Sequence, residues 1–333
     1  MSVTDDMKDV VYSSRVRLAR NIRGLAFPHR LRGEEEIYSV LMQKVKKACD
    51  SVTETDFYPV KGTDPMQLQV LVEKHLVSPK LVQECPYGAV LVSKDESLSV
   101  MLNEEDHIRE QCIVDGMGLE QAYRSVARID QAIAKELPIA YDDSLGYLTA
   151  CPTNLGAAMR ASAMVFLPAL TMTGTIESFI RKYQENGITT RGVYGEGSRA
   201  EGDLYQISNQ AAIGMSEQEI LDRMQLVVTK LVEAERIARQ NVAKREGIAL
   251  KDTIMRAYGT LRYACVLSSQ ELMERIALVK LGVTLQYIDC DMTKLNQLIV
   301  MSQPAMLCKL AGKNLNAQER DVTRAALVKK MIG

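Results

Sequence analysis

The sequence predicts an α+β protein: a mixed α and β N-terminal part followed by an all-helical C-terminal domain. Three observations predict it. Short alternating apolar runs rich in β-branched residues are interleaved with 3.6-period stretches up to about residue 215. From Ser216 onward the helical period continues almost unbroken. The 333 residues, 47% hydrophobic and 25% charged, have the composition and length for one large domain and a smaller one. The boundary is placed near Gly247, giving domains 1–247 and 248–333.

Taken in order, Glu34 to Cys49 reads as an amphipathic helix. Asp64-Pro65 is a helix start, an acceptor side chain before a proline that needs no N–H partner, leading into Leu68, Leu71, Val72 and Leu76. Gly88–Ser93 and Leu98–Leu102, joined by Lys94-Asp95-Glu96-Ser97, form a hairpin. Leu119 to Leu137 carries Ala122, Val126, Ile129 and Ile133 on one helical face. Gly146–Ala150, Met159–Leu167, Thr189–Tyr194 and Leu204–Ile207 are strand candidates, although the period of the Met159 run fits a helix equally. Ser216 to Arg245 is one long helix, with Ile220, Met224, Val227, Leu231, Ala234 and Ile237 in its stripe. The chain from Leu250 to Met331 is helical almost throughout.

Bulk properties exclude several functions. Net charge is −1, from 41 basic and 42 acidic residues, so no polyanion surface and no direct nucleic-acid partner is expected. No apolar run approaches the roughly 20 residues of a membrane span. The seven cysteines are scattered with no C-x-x-C pair, which argues against a zinc knuckle and suits reduced thiols in a cytoplasmic protein. The P-loop, the dinucleotide fingerprint and the protein-kinase catalytic loop are all missing. A nucleotide would have to be held by other means, and arginines, whose planar guanidinium pairs bidentately with phosphate oxygens, are the alternative.

Four segments carry chemistry. In Ser13-Ser14-Arg15-Val16-Arg17-Leu18, Arg15 and Arg17 fall on one side of an extended chain, as a polyphosphate requires; alone, they could be a solvated basic edge. Asn103-Glu104-Glu105-Asp106-His107-Ile108-Arg109 offers a carboxylate to orient or deprotonate a substrate, or else an acidic turn with a helix cap. Cys151-Pro152-Thr153-Asn154-Leu155-Gly156, running to Arg160-Ala161-Ser162, holds either a reactive thiolate or a small buried hydrophobe. Arg191-Gly192-Val193-Tyr194-Gly195-Glu196-Gly197-Ser198 combines an arginine, a carboxylate and glycines that permit loop closure, or is a surface turn.

In this order, over roughly Val10 to Gly214, the segments resemble the phosphagen (guanidino) kinases, through S-S-R-V-R, N-E-E-D-H-x-R, C-P-x-N-L-G and R-G-x-x-G-E. The resemblance implies an antiparallel sheet flanked by helices, ATP as phosphoryl donor and Mg²⁺ as cofactor, with no dedicated protein metal site. It implies that Arg15, Arg17, Arg109, Arg160 and Arg191 clamp the ATP phosphates, with Ser14, Val16, Leu18, His75, Ala161, Ser162, Ala163, Met164, Gly192, Val193, Tyr194 and Gly195 completing the nucleotide site. Glu105 would bind the substrate guanidinium and act as base, Glu196 would supply the second carboxylate (and touch the nucleotide), and Cys151 would lie against the guanidinium as a thiolate. The chain departs from the pattern at Ala157-Ala158-Met159, where other members continue with glycines. It departs again at Met164, where they often have His, so an adenine contact from that His is not carried over. Ser198-Arg199 places a base where another acid is usual.

Two features point to the acceptor. The S-S-R-V-R segment begins only a dozen residues in, whereas members acting on small guanidino compounds have a helical domain before the catalytic one; its absence argues against a closed small-molecule pocket. Arg320-Asp321-Val322-Thr323-Arg324-Ala325 is similar to the R-D-x-x-R-A motif of the bacterial protein arginine kinases, and Tyr205-Gln206-Ile207-Ser208-Asn209-Gln210 is also worded like theirs. At i and i+4 on a helix, Arg320 and Arg324 share a face and repel unless an anion relieves them; alone, the pair is a solvated helix face. The resemblance implies that Arg320, Asp321, Arg324 and Ala325 bind phosphoarginine allosterically. It further implies protein substrates bearing exposed arginines, a ClpC-type chaperone-protease and an activator protein as partners, a role in stress response, and a homodimer. A kinase of free arginine and a non-catalytic phosphoarginine-binding adaptor remain as alternatives.

Overall fold

A computed structural model describes residues 7–30, 35–184, 187–192 and 201–333, with backbone alone at 35–37 and 191–192. The strands are β1 (Val11–Arg20), β2 (Thr55–Pro59), β3 (Ala89–Ser93), β4 (Leu98–Leu102), β5 (Ile108–Asp115), β6 (Tyr141–Asp142), β7 (Gly146–Tyr147), β8 (Met159–Phe166), β9 (Ile188–Gly192) and β10 (Leu204–Asn209). The helices of the first two-thirds are α1 (Glu35–Asp50), α2 (Pro65–Glu73), α3 (Pro79–Glu84), α4 (Leu119–Glu136), α5 (Pro168–Met172) and α6 (Ile176–Gln184). Then come α7 (Glu217–Glu246), α8 (Ile248–Tyr263), α9 (Ser269–Thr284), α10 (Met292–Met301), α11 (Pro304–Ala311) and α12 (Ala317–Ile332).

An eight-stranded sheet has the order β2-β3-β4-β5-β1-β8-β10-β9. The chain divides into two compact units, interleaved along the sequence. One holds Ser13–Ala163 and Ser208–Leu226; the other holds the N-terminal residues to Tyr12, Met164–Ile207 and Val227–Gly333.

In the first of these units, β2-β3-β4-β5-β1 pair antiparallel, with Arg17 opposite Gln111 and Ala19 opposite Arg109. Opposed residues of an antiparallel pair point to the same face, so the register sorts the unit. Leu91, Val100, Leu102 and Ile108 face α1 and α4, packing against Leu41, Val45, Ile129 and Ile133. On the other face Val90, Val92 and Met101 pack against Leu71, Leu76 and Leu81 of the α2–α3 region. Arg15, Arg17, Arg109 and Gln111 share that second face, beside the α2–α3 cluster.

In the other unit, α7–α9 and the helices after them enclose a core of Val242, Leu250, Ile254, Leu261, Leu272, Ile276, Leu295, Leu298 and Val328. The buried Glu235 of α7 accepts from the N–H groups of Ala169 and Leu170, both at 3.0 Å, at the start of α5. Its neighbour one turn on, Arg239, bonds Glu235 at 2.8 Å and Asp9 at 3.1 Å, and so balances the buried carboxylate.

Most expected elements form within a residue or two. Asp64 caps α2, accepting from the N–H groups of Met66 and Gln67, and β3–β4 is the expected hairpin. The Met159 run is a strand. The expected strand Gly146–Ala150 shrinks to the two residues of β7, because the chain from Leu148 is bonded to loops rather than to a sheet neighbour.

Candidate active site

The alternation of β1 decides which side chains are available. Ser14, Val16 and Leu18 turn into the core, and the Ser14 hydroxyl donates to the Gly116 carbonyl at 2.8 Å and accepts from the Gly118 N–H at 3.1 Å. They form the backing of the strand, so any contact of theirs with a nucleotide would come through the backbone. Arg15 and Arg17 alternate to the opposite face, half-buried.

Three guanidinium groups come close together there. Burial, and then the positive charges of Arg109 and Arg160, lower the Arg15 pKa to about 10. Three cations gathered on a half-buried face form a site whose repulsion an anion would relieve. The Arg160 guanidinium is aimed by the Ser208 hydroxyl, 3.0 Å from Nη2. β8 itself is clamped by Asn209, whose side chain accepts from the Ala161 N–H at 2.8 Å and donates to the Met159 carbonyl at 3.0 Å. The Ser162 hydroxyl donates to the Arg15 carbonyl at 3.3 Å, while Ala161 and Ala163 are buried on the other face of β8.

His75 belongs to the same face. Its backbone is left-handed, with φ 60°, and its carbonyl accepts from the Gln111 amide at 2.7 Å. Burial, and then the charge of Arg15, lowers its imidazole pKa to about 4. The ring is therefore neutral at pH 7, a shape suited to stacking or to a single hydrogen bond rather than to a phosphate charge.

Next to the arginines lies a cavity of about 370 Å³, whose lining includes Tyr38, Lys80, Cys85, Tyr87, Glu104 and Glu105. Arg109 spans the two regions, its Nη1 2.9 Å from the buried Glu104 carboxylate. The loop carrying the glutamates is pinned by groups with no signature of their own. Asn21, at the end of β1, accepts from the His107 N–H at 3.0 Å and donates to Asp106 at 2.6 Å and to the Leu148 carbonyl at 2.9 Å. Asp106 also accepts from the Ala150 N–H at 2.8 Å. One buried amide and one buried carboxylate thus tie the glutamate loop to the segment entering Cys151. Ala150 lines the cavity. The Cys151 sulfur lies 3.0 Å from the Thr153 hydroxyl, at the start of a short 3-10 turn, Pro152–Asn154.

Other expected site residues are less gathered. Met164 packs with Phe166, Leu204 and Met273 in the second unit. Arg191 and Gly192 end β9, while Val193, Tyr194, Gly195 and Glu196 lie outside the described residues. Among the described residues no group of three or more His, Cys, Asp and Glu side chains is placed to hold a metal ion.

The Arg320–Arg324 pair on α12 separates into two environments. Arg324 is 2% exposed; its Nη1 bonds the Asp321 carboxylate at 2.5 Å and the Leu267 carbonyl at 2.8 Å, and its Nε the Ser302 carbonyl at 3.1 Å. The relief that the sequence asks of an anion is supplied for Arg324 by its own helix and two chain turns. Ala325 is buried beside it in the helical core. Arg320 stays half-buried at the surface, with Nη1 3.1 Å from the Leu315 carbonyl.

Sequence reasoning missed Asn21, Asp106, Gln111, Ser208 and Asn209 as positioning groups. Asp106 lies within one motif and Ser208-Asn209 within another, but their targets, the Asn21 amide, the Arg160 guanidinium and the N–H groups of Ala150 and Ala161, are groups that only the fold brings near.

Comparison with known proteins places the chain in a family. Residues 36–238 match the model of the ATP:guanido phosphotransferase C-terminal catalytic domain, and residues 247–333 match that of the protein-arginine kinase McsB C-terminal domain. A protein-arginine kinase of Caldanaerobacter subterraneus subsp. tengcongensis is 42% identical over 324 residues, covering 96% of each chain. One from a Geobacillus species is 41% identical, covering 100% of this chain and 93% of its own. Among solved structures, lombricine kinase superposes with a TM-score of 0.61 at 26% identity, covering 69% of this chain and 67% of that one. The duplicated taurocyamine kinase of Schistosoma mansoni, with bound transition state analog components, gives 0.63 at 27% identity, covering 74% of this chain and 35% of that longer one. The chain belongs to the protein-arginine kinases, within the ATP:guanido phosphotransferase family.

Proposed function

We propose that the protein transfers the γ-phosphoryl group of ATP to arginine side chains of other proteins. The observation that carries this reading is the gathering of Arg15, Arg109 and Arg160 on one face, joined through the Arg109–Glu104 pair to a cavity lined by Glu105. Arg17 shares the face of Arg15. An arginine guanidinium is protonated, with a pKa above about 12, and is a poor nucleophile until it loses a proton. Glu105 orients it and takes that proton as Nη attacks the γ-phosphorus and the bond to the ADP oxygen breaks. The arginine cluster neutralises the equatorial oxygens, and in-line positioning supplies most of the rest.

Mg²⁺ would supply further charge on the phosphates. With no acidic cage among the described residues, it would be held by the nucleotide and water rather than by dedicated side chains. Glu196 and Arg191 would complete the acceptor and donor sites, and Cys151 would lie against the guanidinium; their support is the family motif. The same holds for the functional division near Gly247, and for a phosphoarginine site on α12 in which Arg320 meets the ligand and Arg324 shapes its helix. Marking of proteins for a ClpC-ClpP type protease, an activator protein, homodimerisation and a cytoplasmic place are parts of the proposal supported by kinship alone.

Glu105→Gln tests the central assignment. Phosphorylation of arginine should fall by about 10²–10⁴-fold, the usual worth of a general base, while ATP binding by calorimetry stays within a few-fold. Undiminished turnover would remove Glu105 from the reaction.

A further inference from the structure

A second cavity adjoins the glutamate cavity, and nothing in the phosphoryl transfer uses it. It also measures about 370 Å³ and shares Tyr38, Pro86 and Tyr87 with its neighbour. Met42 of α1 and Phe57 and Pro59 of the edge strand β2 make up the rest of its apolar lining. The shared wall is built: the Tyr38 and Tyr87 rings stack at 5.8 Å with 5° between their planes. The Tyr87 carbonyl accepts from the Asn103 side chain at 3.5 Å, which ties the wall to the glutamate loop. Phe57 and Tyr87 are 36% and 42% exposed, so apolar surface is left open beside a polar site. A free guanidino compound that fills the glutamate cavity has nothing to place there.

We propose that this groove is a subsite of the substrate polypeptide, taking an apolar side chain close to the target arginine. The proposal rests on the reading of the Glu105 cavity as the acceptor site. Continuity with that cavity fixes the occupant: a chain whose arginine enters one side of the tyrosine wall must continue past it. An extended chain rises ~3.3 Å per residue and repeats its facing every second residue, so the residue two away lies ~7 Å along with the same facing, against a ring stack spaced 5.8 Å, and meets the groove. Charge runs the same way. Glu84 and Glu105 line the arginine end beside Lys80 and the paired Glu104, and the groove is lined by Lys61 and by Lys46, which is paired with Asp50; Lys61 favours a segment reading arginine, apolar residue, acidic residue. Side chains that are buried in folded proteins would then be what the enzyme reads beside an arginine.

The test uses the full-length protein, ATP and two synthetic peptides with one arginine each, differing only in leucine or glycine two residues away. Wild-type protein should favour the leucine peptide by about tenfold in kcat/KM, the worth of a filled apolar pocket. Phe57→Ala should bring the two within about twofold by raising KM for the leucine peptide alone, and Phe57→Leu should keep most of the preference. Equal kcat/KM for the two peptides in wild-type protein would overturn the subsite, as would an equal loss on both in Phe57→Ala with the preference intact. If wild type phosphorylates neither peptide but accepts free arginine, the acceptor reading falls, and the subsite with it.

Discussion

Single residues in this protein are held away from their ordinary protonation states, and two of them have opposite consequences. Glu110 on β5 is fully buried; burial, and then the negative charge of Asp130, raises its pKa well above the usual carboxylate value. It therefore keeps its proton in the fold and loses it more readily when unfolded. Its contribution is full below the ordinary value of 4.5 and declines as pH rises above it. Glu110→Gln removes the titrating proton and keeps the shape, so at pH 8 its Tm should exceed wild type by ~2–4 °C, with the gap closing toward pH 4. A gap independent of pH would contradict the protonated state. His75 works the other way: its folded pKa of about 4 lies below the ordinary 6.5, so stability falls as pH drops between them. His75→Asn, which tolerates the left-handed backbone, should flatten that acid-side loss in a pH series of thermal melts. Of these residues only His75 was legible in the sequence, and only by kinship. Glu110 sits at an ordinary strand position, and its burial depends on α4 packing over β5.

At the scale of elements, the alternation of β1 was readable and correct in its consequence: Arg15 and Arg17 share a face because the strand is extended. Which face, and what it meets, came from pairing with β5, a strand the sequence reading did not separate from its acidic turn. The turn is then fixed by Asn21 and Asp106. Asn21→Ala strands one buried carboxylate interaction and two backbone contacts, and should cost about 1–3 kcal/mol of stability. Because the glutamate loop loosens, kcat should fall at least as strongly as stability; unchanged kcat in a destabilised Asn21→Ala protein would show the clamp to be structural only. Helix α12 makes a similar division. Arg324→Ala removes a buried guanidinium and strands Asp321 and two carbonyls, with an expected loss of about 3–5 kcal/mol. Arg320→Ala should change stability by less than about 1 kcal/mol yet weaken stimulation by phosphoarginine. Denaturant melts of both variants separate the roles. The motif resemblance singled out both residues, and their spacing alone read as a solvated helix face; that Arg324 turns inward depends on Leu267 and Ser302, which only the fold brings near.

For the molecule as a whole, the mixed and then helical organisation was visible from periodicity, and the two family models match its two stretches in turn. The compact units cut across that order, because residues before β1 and around α5–α6 pack with the C-terminal helices. No local pattern announces such long-range packing. Among the described residues, no helix is long and apolar enough to cross a membrane. The acceptor proposed for this active site is an arginine within a polypeptide. It is tested most directly by incubating the protein with ATP, free arginine and an unfolded protein together, and mapping phosphate under non-acidic conditions that preserve the P–N bond. This acceptor requires phosphorylated arginines in the polypeptide, absent with Glu105→Gln. Phosphate found on free arginine alone would contradict it.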